Sequence, residues 1–571
     1  MRPTDIKRKW WKEAIVYQIY PRSFKDSNGD GIGDLRGIIS KLDYIKSLGI
    51  DIVWLTPIYS SPNDDNGYDI SHYMNIMKEA GTMQDFDELL EGLHERKIRL
   101  ILDLVVNHTS DEHEWFIEAK KSRDNPYRDY YVWWPAEKGE PPFRESFFDN
   151  KGEAWKYDEQ TDSYYYHIFS IKQPDLNWDN TKVRQEIYNM MRFWFEKGVD
   201  GFRMDAMGYI SKDQNFPVIP QKVITKRYGE WANYYGQGPK LHEYLKEMNR
   251  EAISKYDVVT IAEGAGVTID RALDFVNEDN HELDMLTHFE GVGVGLLPGQ
   301  WKMPDPKGYK LTDFKKVHSK WDEIFEQKGW GTIYLTSHDQ PRMVTRWGDD
   351  SDEFREVSEK MLLTFLLTMR ATPFIYNGDE IGMTNIKFDK IEDYNDIETR
   401  SRFEVLRSKG GDEKAFIEAQ KIMGRDNSRT PMQWNANENA GFTMGKPWLK
   451  VNPNYKYINV EAQEKDSNSV LHYFRRMTKL RKEKLVLTYG RYQLLAPKHT
   501  KIYAYTRVLD DDKLLVLLNF SKDEVLFKIP KGIELKENIL INNYDNLDHE
   551  KGEVTLKPYQ AVVAEAEIKK G

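Results

Sequence analysis

The segment TKVRQEIYNMMRFWFEKGVDGFRMDAM, residues 181–207, contains in one piece the unit that decides this fold. Its first part, 181–198, repeats apolar side chains at helical spacing. Its second part, 199–207, is a short and nearly continuous apolar run, which is typical of a parallel strand buried on both faces. The run ends in Arg203 and Asp205, two side chains capable of chemistry. The segment therefore predicts a helix followed by a buried strand with reactive groups at its end.

Apolar runs of the same kind recur along the chain, with helical patterns such as 35–49 and 85–97 between them. The other runs are AIVYQIYP (14–21), DIVWLTPIY (51–59), IRLILDLVVNH (98–108), DVVTIAEG (257–264), LDMLTHFE (283–290), TIYLTSHD (332–339) and TPFIYNGDE (372–380). Alternation of strands and helices predicts a (β/α)₈ barrel, although a doubly wound open sheet would give a similar pattern.

Polar residues at the ends of several strands favour the barrel. Asn107 and His108 follow one strand, Glu263 ends another, and His338 and Asp339 follow a third. Barrel enzymes place their chemistry at the C-terminal ends of many strands, whereas an open sheet concentrates it near one switch point. We therefore predict an α/β TIM barrel with its reactive groups on one rim.

Changes in composition along the chain predict three domains. The barrel takes residues 1–108 and 178–490, and the stretch 109–177, rich in Trp, Tyr, Pro and Gly, is an inserted small domain after strand 3. Beyond residue 490 the pattern changes to alternating strands, so 491–571 is predicted to be a C-terminal all-β sandwich domain.

Composition excludes several classes of partner. Lys plus Arg is 82 and Asp plus Glu is 93 in 571 residues, and the net charge of −11 argues against nucleic acid. The chain has no cysteine, no run resembling a signal peptide and no apolar run long enough for a membrane span. We expect a cytoplasmic protein without membrane contacts, present as a monomer or weak dimer.

Two strand-end carboxyl groups suit glycoside hydrolysis, which needs one carboxyl group on each side of the bond. A barrel would bring Asp205 and Glu263 to the same rim. Arg203, two residues before Asp205, lies on the same side of that strand and would favour an ionised nucleophile. Glu263 stands among Ala and Gly residues with no cation beside it in sequence, a setting that would raise its pKa and keep it protonated as the acid.

With these residues in place, the sequence resembles glycoside hydrolase family 13, the α-amylase superfamily. DLVVNH (103–108), GFRMD (201–205), the Glu263 strand and SHD (337–339) are similar to its four signature regions. QPDLNW (173–178), with NDDNGYDIS (63–71), GMTN (382–385) and RDNSRTPMQW (425–434), resembles the oligo-1,6-glucosidase and α-glucosidase subfamily, which also includes sucrose isomerases and trehalose-6-phosphate hydrolases.

The resemblance implies a retaining, exo-acting α-glucosidase that forms a covalent glycosyl-enzyme intermediate. Its partner would be a small oligosaccharide or disaccharide substrate of the isomaltose or isomaltulose, maltose or sucrose type. Asp205 would be the nucleophile, Glu263 the acid/base, and Asp339 the carboxylate that stabilises the transition state. Asp65 and Tyr68 would close and stack on the terminal glucose, and Arg429 would complete that pocket. The residues predicted to bind substrate are Asp65, Tyr68, His108, Phe148, Phe169, Arg203, Ala206, His338 and Arg429.

The loop DSNGDGIGD (26–34) places oxygen ligands at intervals, but it is no EF-hand, because Gly37 stands where the bidentate Glu would be. A turn that binds nothing is the alternative. The subfamily resemblance implies a structural Ca²⁺, with Mg²⁺ as the substitute. Its ligands would be Asp26, Asn28, Asp30, the carbonyl of Ile32, and Asp34.

Two departures from the subfamily bear on specificity. Ala206 follows the nucleophile where members preferring α-1,6 links usually carry Val, so preference among α-1,6, α-1,4 and sucrose-type bonds stays open. The segment 288–302 lacks the arginine-rich stretch of sucrose isomerases, which counts against a sucrose isomerase or transglucosylase. A trehalose-6-phosphate hydrolase is a further alternative. A catalytically inactive homologue is disfavoured because Asp205 and Glu263 are both present.

Overall fold

The computed structural model describes residues 6–148, 152–226, 232–550 and 552–569. Each of the eight apolar runs contains one strand of a parallel barrel. In chain order the strands are β1 (Val16–Ile19), β2 (Ile52–Leu55), β3 (Arg99–Val105), β4 (Gly201–Asp205), β5 (Val259–Gly264), β6 (Met285–His288), β7 (Thr332–Ile333) and β8 (Thr372–Tyr376).

The strands form a closed sheet and not an open one. Parallel pairing runs in the order β6, β5, β4, β3, β2, β1, β8 and β7. The two ends of this order meet, because Leu286 of β6 bridges Gly331 in parallel and its amide donates to the carbonyl of Trp330 at 3.2 Å. The predicted TIM barrel is confirmed, and the doubly wound alternative is wrong.

The helices lie between the strands as the periodicity predicted, with one difference. The pattern at 35–49 forms two helices, Leu35–Ile39 and Leu42–Ser47, because Lys41 (φ −116°, ψ 10°) leaves the helical conformation. The other connecting helices are Met83–Glu95, Thr181–Lys197, Leu241–Glu251, Ala272–Val276, Leu311–Lys328 and Arg355–Thr368, and those after β8 include Ile397–Ser408, Glu413–Met423, Val460–Glu464, Val470–Glu483 and Val486–Tyr489.

The long connection after β3 folds as a small layer of its own beside the rim. It contains a helix, Glu114–Ala119, and a three-stranded antiparallel sheet in which Ser163–Tyr166 lies between Trp133–Pro135 and Trp155–Asp158. A buried lysine joins this layer to the barrel, since Lys212 Nζ lies 2.9 Å from Asp175 Oδ2.

The C-terminal part is all-β, as predicted. Its larger antiparallel sheet contains Arg491–Leu495, Ile502–Leu509, Asp512–Asn519, Ala561–Ile568 and Ile533–Asn542 in that order, and its smaller sheet contains Val525–Lys528, Glu553–Leu556 and Asp548–Glu550. The predicted strand at 554–568 is therefore two strands in different sheets. Among the described residues, no helix combines the length and apolarity that crossing a membrane requires.

Buried hydrogen bonds attach the C-terminal sheets to the barrel helices. Lys315, on the helix before β7, donates its ammonium group to the carbonyls of Ala496, His499 and Ile502 at 3.0, 2.6 and 3.1 Å. Arg507 donates to the carbonyls of Thr368, at the end of a barrel helix, and of Leu487. These cations thus link backbone carbonyls of the C-terminal part and of the helices that precede it to the barrel.

Candidate active site

A cavity of about 320 Å³ opens at the C-terminal rim of the barrel. The ends of the strands form its floor, and aromatic side chains of the inserted layer form one wall. The lining residues are Asp65, Tyr68, His108, Phe147, Phe148, Phe169, Asp205, Ala206, Tyr209, Glu263, Ala265, Phe289, Trp301, Lys302, His338, Asp339, Gln340, Glu398, Arg402 and Arg425. Residues from distant parts of the chain therefore share one concave site, as expected of a barrel enzyme.

Asp205 is fixed by the guanidinium group of Arg203. Nη1 of Arg203 donates to Asp205 Oδ1 at 2.6 Å and to Asp103 Oδ1 at 2.7 Å. Burial raises the pKa of Asp205 to about 7, because it outweighs the lowering effect of Arg203, and the charges of Asp103 and Asp339 add to the rise. Arg203 thus lowers the pKa of Asp205, as predicted, but burial has the larger effect and the pKa stays above its ordinary value.

Glu263 faces the same guanidinium group, with Oε1 3.1 Å from Nη2 of Arg203. The cation that the neighbouring sequence lacks is therefore supplied from β4. Burial nevertheless raises the pKa of Glu263 to about 8, and the charges of Asp205 and Asp339 act in the same direction. Glu263 is thus mainly protonated at neutral pH, as an acid must be.

The backbone at Ala206 links the two carboxyl groups. Its amide donates to Glu263 Oε2 at 2.7 Å, directly after Asp205 in the chain. Ala206 has φ 47° and ψ 30°, in the left-handed region, and it is buried. This conformation is uncommon for a residue other than glycine and is found where a site demands it. Here it turns the chain at the end of β4 and directs the amide toward Glu263.

Asp339 is surrounded by two arginines and a histidine. Arg425 Nη1 lies 2.9 Å and Arg429 Nη2 3.3 Å from its Oδ1, and His338 Nε2 lies 3.2 Å from its Oδ2. Burial alone would raise the pKa of Asp339, but His338 and the two arginines bring it well below its usual range. Asp339 is therefore ionised where Glu263 is protonated.

The two predicted histidines are buried and neutral at physiological pH. Burial lowers the pKa of His108 to about 4 and that of His338 to about 3. Tyr68 stacks on His338 with ring centroids 5.2 Å apart and an interplanar angle of 4°, and its hydroxyl lies 2.6 Å from Nε2 of that histidine. Gln173 Nε2 lies 3.2 Å from His108 Nε2. These contacts hold neutral imidazoles at the floor of the cavity.

Asp65 closes the deep end of the cavity. Its Oδ2 accepts from Gln173 Nε2 at 3.1 Å, and its buried Oδ1 has no hydrogen-bond partner among the described residues. Burial raises the pKa of Asp65 to about 7, against the lowering effect of Arg425, which lies 3.6 Å away. A buried acceptor without a donor marks a position for a ligand hydroxyl.

A second polar group lies along the outer part of the cavity. Glu398 accepts from Trp301 Nε1 at 2.7 Å and from Lys302 Nζ at 2.9 Å. Arg402, next to them, donates to Glu145 of the inserted layer at 3.1 Å. Charged residues of the barrel therefore line the opening, and one of them, Arg402, also contacts the insert.

The structure brings together most of the predicted site residues. Arg203 lies beneath the floor, and Arg429 lies behind the wall, where it donates to the carbonyl of His338 at 2.8 Å. Arg425, four residues earlier, lines the cavity, whereas Arg429 reaches it through Asp339, so the substrate contact of Arg429 stays a prediction. Asp103 and Arg425 stand inside motifs that the sequence had already singled out, whereas Trp301, Lys302, Glu398 and Arg402 carried no such signal.

In the loop at residues 26–34, the side-chain oxygens that could bind a metal ion accept hydrogen bonds from backbone amides. Buried Asp26 accepts from the amides of Asn28, Gly29 and Gly31, and buried Asp34 accepts from Ser27 and Gly37. Across the described part of the chain, no three His, Cys, Asp or Glu side chains converge in a way that could hold a metal ion. The loop nevertheless offers carboxylate, amide and carbonyl oxygens, the donor types that hard cations take.

Comparison with known proteins agrees with this geometry. Residues 18–490 match the family model for the alpha amylase catalytic domain, and residues 502–563 match that for the SusG C-terminal domain. The oligo-1,6-glucosidase of Parageobacillus thermoglucosidasius is 53% identical over 98% of this chain and 99% of its own length. The trehalose-6-phosphate hydrolase of Bacillus subtilis is 44% identical over 97% and 98%.

Solved structures give the same result. The isomaltulose synthase SmuA from Protaminobacter rubrum superposes with a TM-score of 0.95 at 44% identity, covering 98% of this chain and all of that one. A closed parallel barrel, reactive carboxyl groups at its rim and a family match over most of the length thus agree. The chain belongs to the alpha-amylase family of glycoside hydrolases.

Proposed function

We propose that this protein is a retaining α-glucosidase that removes glucose from the ends of short oligosaccharides. One observation carries the proposal: Asp205 and Glu263 both contact the guanidinium group of Arg203, at 2.6 and 3.1 Å, inside a concave polar cavity. Retaining glycosidases keep their two carboxyl groups roughly 5–5.5 Å apart. A shared guanidinium group, with the Ala206 amide as a second link, supports that close spacing.

The contacts divide the chemistry between the two carboxyl groups. Asp205 attacks the anomeric carbon, so that its Oδ–C bond forms while the glycosidic C–O bond breaks. The proton of Glu263 passes to the leaving oxygen, which frees the second sugar as an alcohol. Ionised Asp339, held by Arg425 and Arg429, offsets positive charge on the ring in the transition state.

Water completes the cycle at the same carbon. Glu263, now a carboxylate, accepts a proton from a water molecule whose oxygen attacks the anomeric carbon, and the ester bond to Asp205 breaks. Glucose leaves with its original α configuration, and both carboxyl groups return to their starting states. Arg203 contacts both groups throughout, so it balances whichever of them carries the charge.

The deep end of the cavity supports exo action on a terminal glucose. Oδ1 of Asp65, which accepts no hydrogen bond from the described residues, offers an acceptor there. The neutral His108 and His338 add donors and acceptors, and the stacked ring of Tyr68 adds an apolar face. The aromatic wall formed by Phe148 and Phe169, whose ring centroids are 5.4 Å apart, suits the apolar face of a sugar ring. The charged outer group at Glu398 and Arg402 would meet the leaving sugar.

A product profile tests both the reaction and the linkage. Relatives that are 45–53% identical are named oligo-1,6-glucosidase, which supports isomaltose and isomaltulose as substrates. The small Ala206 supports acceptance of maltose as well. We expect α-glucose as the first product by NMR with each of these sugars. Release of β-glucose would contradict the retaining mechanism, and cleavage of trehalose-6-phosphate alone would contradict the substrate class.

A second candidate is a sucrose isomerase, since isomaltulose synthase structures superpose with TM-scores of 0.94–0.95. The two candidates share the glycosyl-enzyme intermediate and differ in what attacks it. Incubation with sucrose separates them: the α-glucosidase gives glucose and fructose, whereas an isomerase gives isomaltulose or trehalulose. We place hydrolysis first because the residues between Glu263 and Trp301 contain a single arginine, Arg271.

We further propose that the 26–34 loop binds Ca²⁺, with Mg²⁺ as a substitute. Asp26, Asn28, Asp30, the Ile32 carbonyl and Asp34 would hold it, and it would brace the chain after β1 without entering the reaction. The donor set supports the proposal, because these five oxygens alternate along a glycine-rich turn. A cytoplasmic location and a monomeric or weakly dimeric state stay predictions, which cell fractionation and light scattering would test.

A further inference from the structure

A second, much smaller cavity lies inside the barrel beneath the catalytic carboxyl groups. Its volume is about 30 Å³, which is room for about two water molecules. The residues around it are Gln18, Trp54, Arg203, Thr287, Phe289, Tyr334, Thr336, Ser337, His338, Asp339 and Phe374. It shares Phe289, His338 and Asp339 with the substrate cavity, and Arg203 borders the smaller cavity only.

Tyr334, on the chain that follows β7, brings an unexplained polar group to this cavity. Its hydroxyl is buried and has no hydrogen-bond partner among the described residues. Burial raises the pKa of Tyr334 above its ordinary value, and the charges of Glu263 and Asp339 act in the same direction, so the hydroxyl stays protonated. A buried hydroxyl without a partner destabilises the fold, and a bound water molecule would remove that cost.

The cavity wall provides the other partners that a buried water molecule needs. Arg203 has five N–H groups, and its three carboxylate contacts leave donors available. Asp339, Ser337 and Thr287 add oxygen atoms around the same space. A buried water typically makes about three hydrogen bonds, and this site offers that number.

We propose that this cavity is a built water site, and that Tyr334 is a positioning residue that acts through it. Water held by the Tyr334 hydroxyl would bind Arg203 and Asp339 from below and keep the guanidinium group aligned between Asp205 and Glu263. By keeping Arg203 aligned with Asp205, the water would favour the ionised form of that carboxyl group. For its kinetic consequences the inference rests on the proposed α-glucosidase activity, but the water site itself does not.

The matched test compares Tyr334→Phe with Tyr188→Phe. Tyr188, on the helix Thr181–Lys197, also has a buried hydroxyl without a partner among the described residues, and it lines neither cavity. Both changes remove one oxygen atom and keep the ring. Tyr334→Phe should lower kcat several-fold with KM within twofold, and should move the acidic limb of kcat/KM up by about half a pH unit. Tyr188→Phe should change neither kcat nor the pH profile.

A readout without activity separates this inference from the proposed function. Crystals of the full chain at a resolution that shows ordered water should contain density within 3.2 Å of the Tyr334 hydroxyl, and Tyr334→Phe crystals should lose it. Electron density for this water in both the parent and the Tyr334→Phe crystals, or in neither, would overturn the water site. An unchanged pH profile for Tyr334→Phe would overturn the positioning role. A wild-type protein that holds the water but hydrolyses no α-glucoside would contradict only the proposed function.

Discussion

At the scale of single residues, the reaction depends on how burial divides protons among nearby carboxyl groups. All three catalytic carboxyl groups lie beside arginines. Burial nevertheless raises the pKa of Asp205 and of Glu263, whereas the pKa of Asp339 stays low. The difference comes from the number of positive neighbours. Asp339 meets Arg425 and Arg429, whereas Asp205 and Glu263 share Arg203.

Replacing the nucleophile should abolish hydrolysis. Asp205→Asn keeps the shape of the side chain but cannot form the ester, so kcat on an aryl α-glucoside should fall by on the order of a thousandfold or more. Asp213→Asn is the control, since Asp213 is exposed and lies near the same strand end. Activity of Asp205→Asn within tenfold of the parent protein would refute the assignment.

The pH profile of kcat/KM should be bell-shaped, with limbs near 7 and 8. Activity needs Asp205 ionised, so it falls as the pH drops below the pKa of about 7. It also needs Glu263 protonated, so it falls as the pH rises above the pKa of about 8. Because the two groups interact, the limbs belong to the pair. Measurement from pH 5 to 10 checks this, and a plateau extending down to pH 5 would contradict the raised pKa of Asp205.

At the scale of elements, the sequence predicted the strands well because each strand is buried on both faces and reads as an apolar run. The ends of strands were also readable, since Asp205, Glu263 and Asp339 sit where a parallel strand meets the rim. The break at Lys41 and the split of the last predicted strand were missed, because local backbone geometry and sheet pairing leave no mark on hydrophobic periodicity.

The outer part of the site was not predictable for a different reason. Trp301 and Lys302 come from the connection after β6, and Glu398 and Arg402 from a helix after β8. Neither segment stands at a strand end, so the barrel pattern gives no reason to bring them together. Sequence also could not distinguish the roles of Arg425 and Arg429. Both occur in one motif, and only their side-chain packing decides which of them lines the cavity.

The buried lysine that ties the insert to the barrel should be essential for stability. Lys212 contacts Asp175, Asn107 and the carbonyl of Tyr209, all within 2.9 Å. Lys212→Met leaves Asp175 buried without its cation, which costs about 3–5 kcal/mol in the free energy of unfolding. Lys240→Met is the control, because Lys240 is half exposed and pairs with Asp179 at the surface. Equal urea midpoints for the two variants would contradict this role.

Removal of divalent cations should destabilise the fold without altering the chemical step. If the 26–34 loop binds Ca²⁺, the bound ion stabilises the folded state. A chelator removes the ion, so the Tm should fall by a few degrees. Asp30→Ala, which deletes an exposed ligand, should abolish that dependence, whereas Asp43→Ala, exposed outside the loop, should keep it. The proposal fails if the Tm of the parent protein is the same in Ca²⁺ and in chelator.

At the scale of the whole molecule, the C-terminal sheets and the barrel should unfold together. Lys315 is fully buried and donates to three carbonyls of the C-terminal part, so Lys315→Met removes three buried hydrogen bonds between the two parts. We expect a loss of about 2–4 kcal/mol. Lys316→Met, at the exposed neighbouring position, should change stability by less than about 0.5 kcal/mol. Calorimetry that shows no difference between the variants would contradict this coupling.

The shared guanidinium group of Arg203 also bears on how such a site can evolve. Because Asp103, Asp205 and Glu263 all contact it, a substitution at any one alters the surroundings of the other two, and mutational effects among the four should be strongly epistatic. Trp301 and Arg402 instead contact Glu398, Glu145 and each other, so they can vary with less effect on these four residues. New specificities would then arise in the outer part of the cavity, while Arg203 and its three carboxyl partners stay unchanged together.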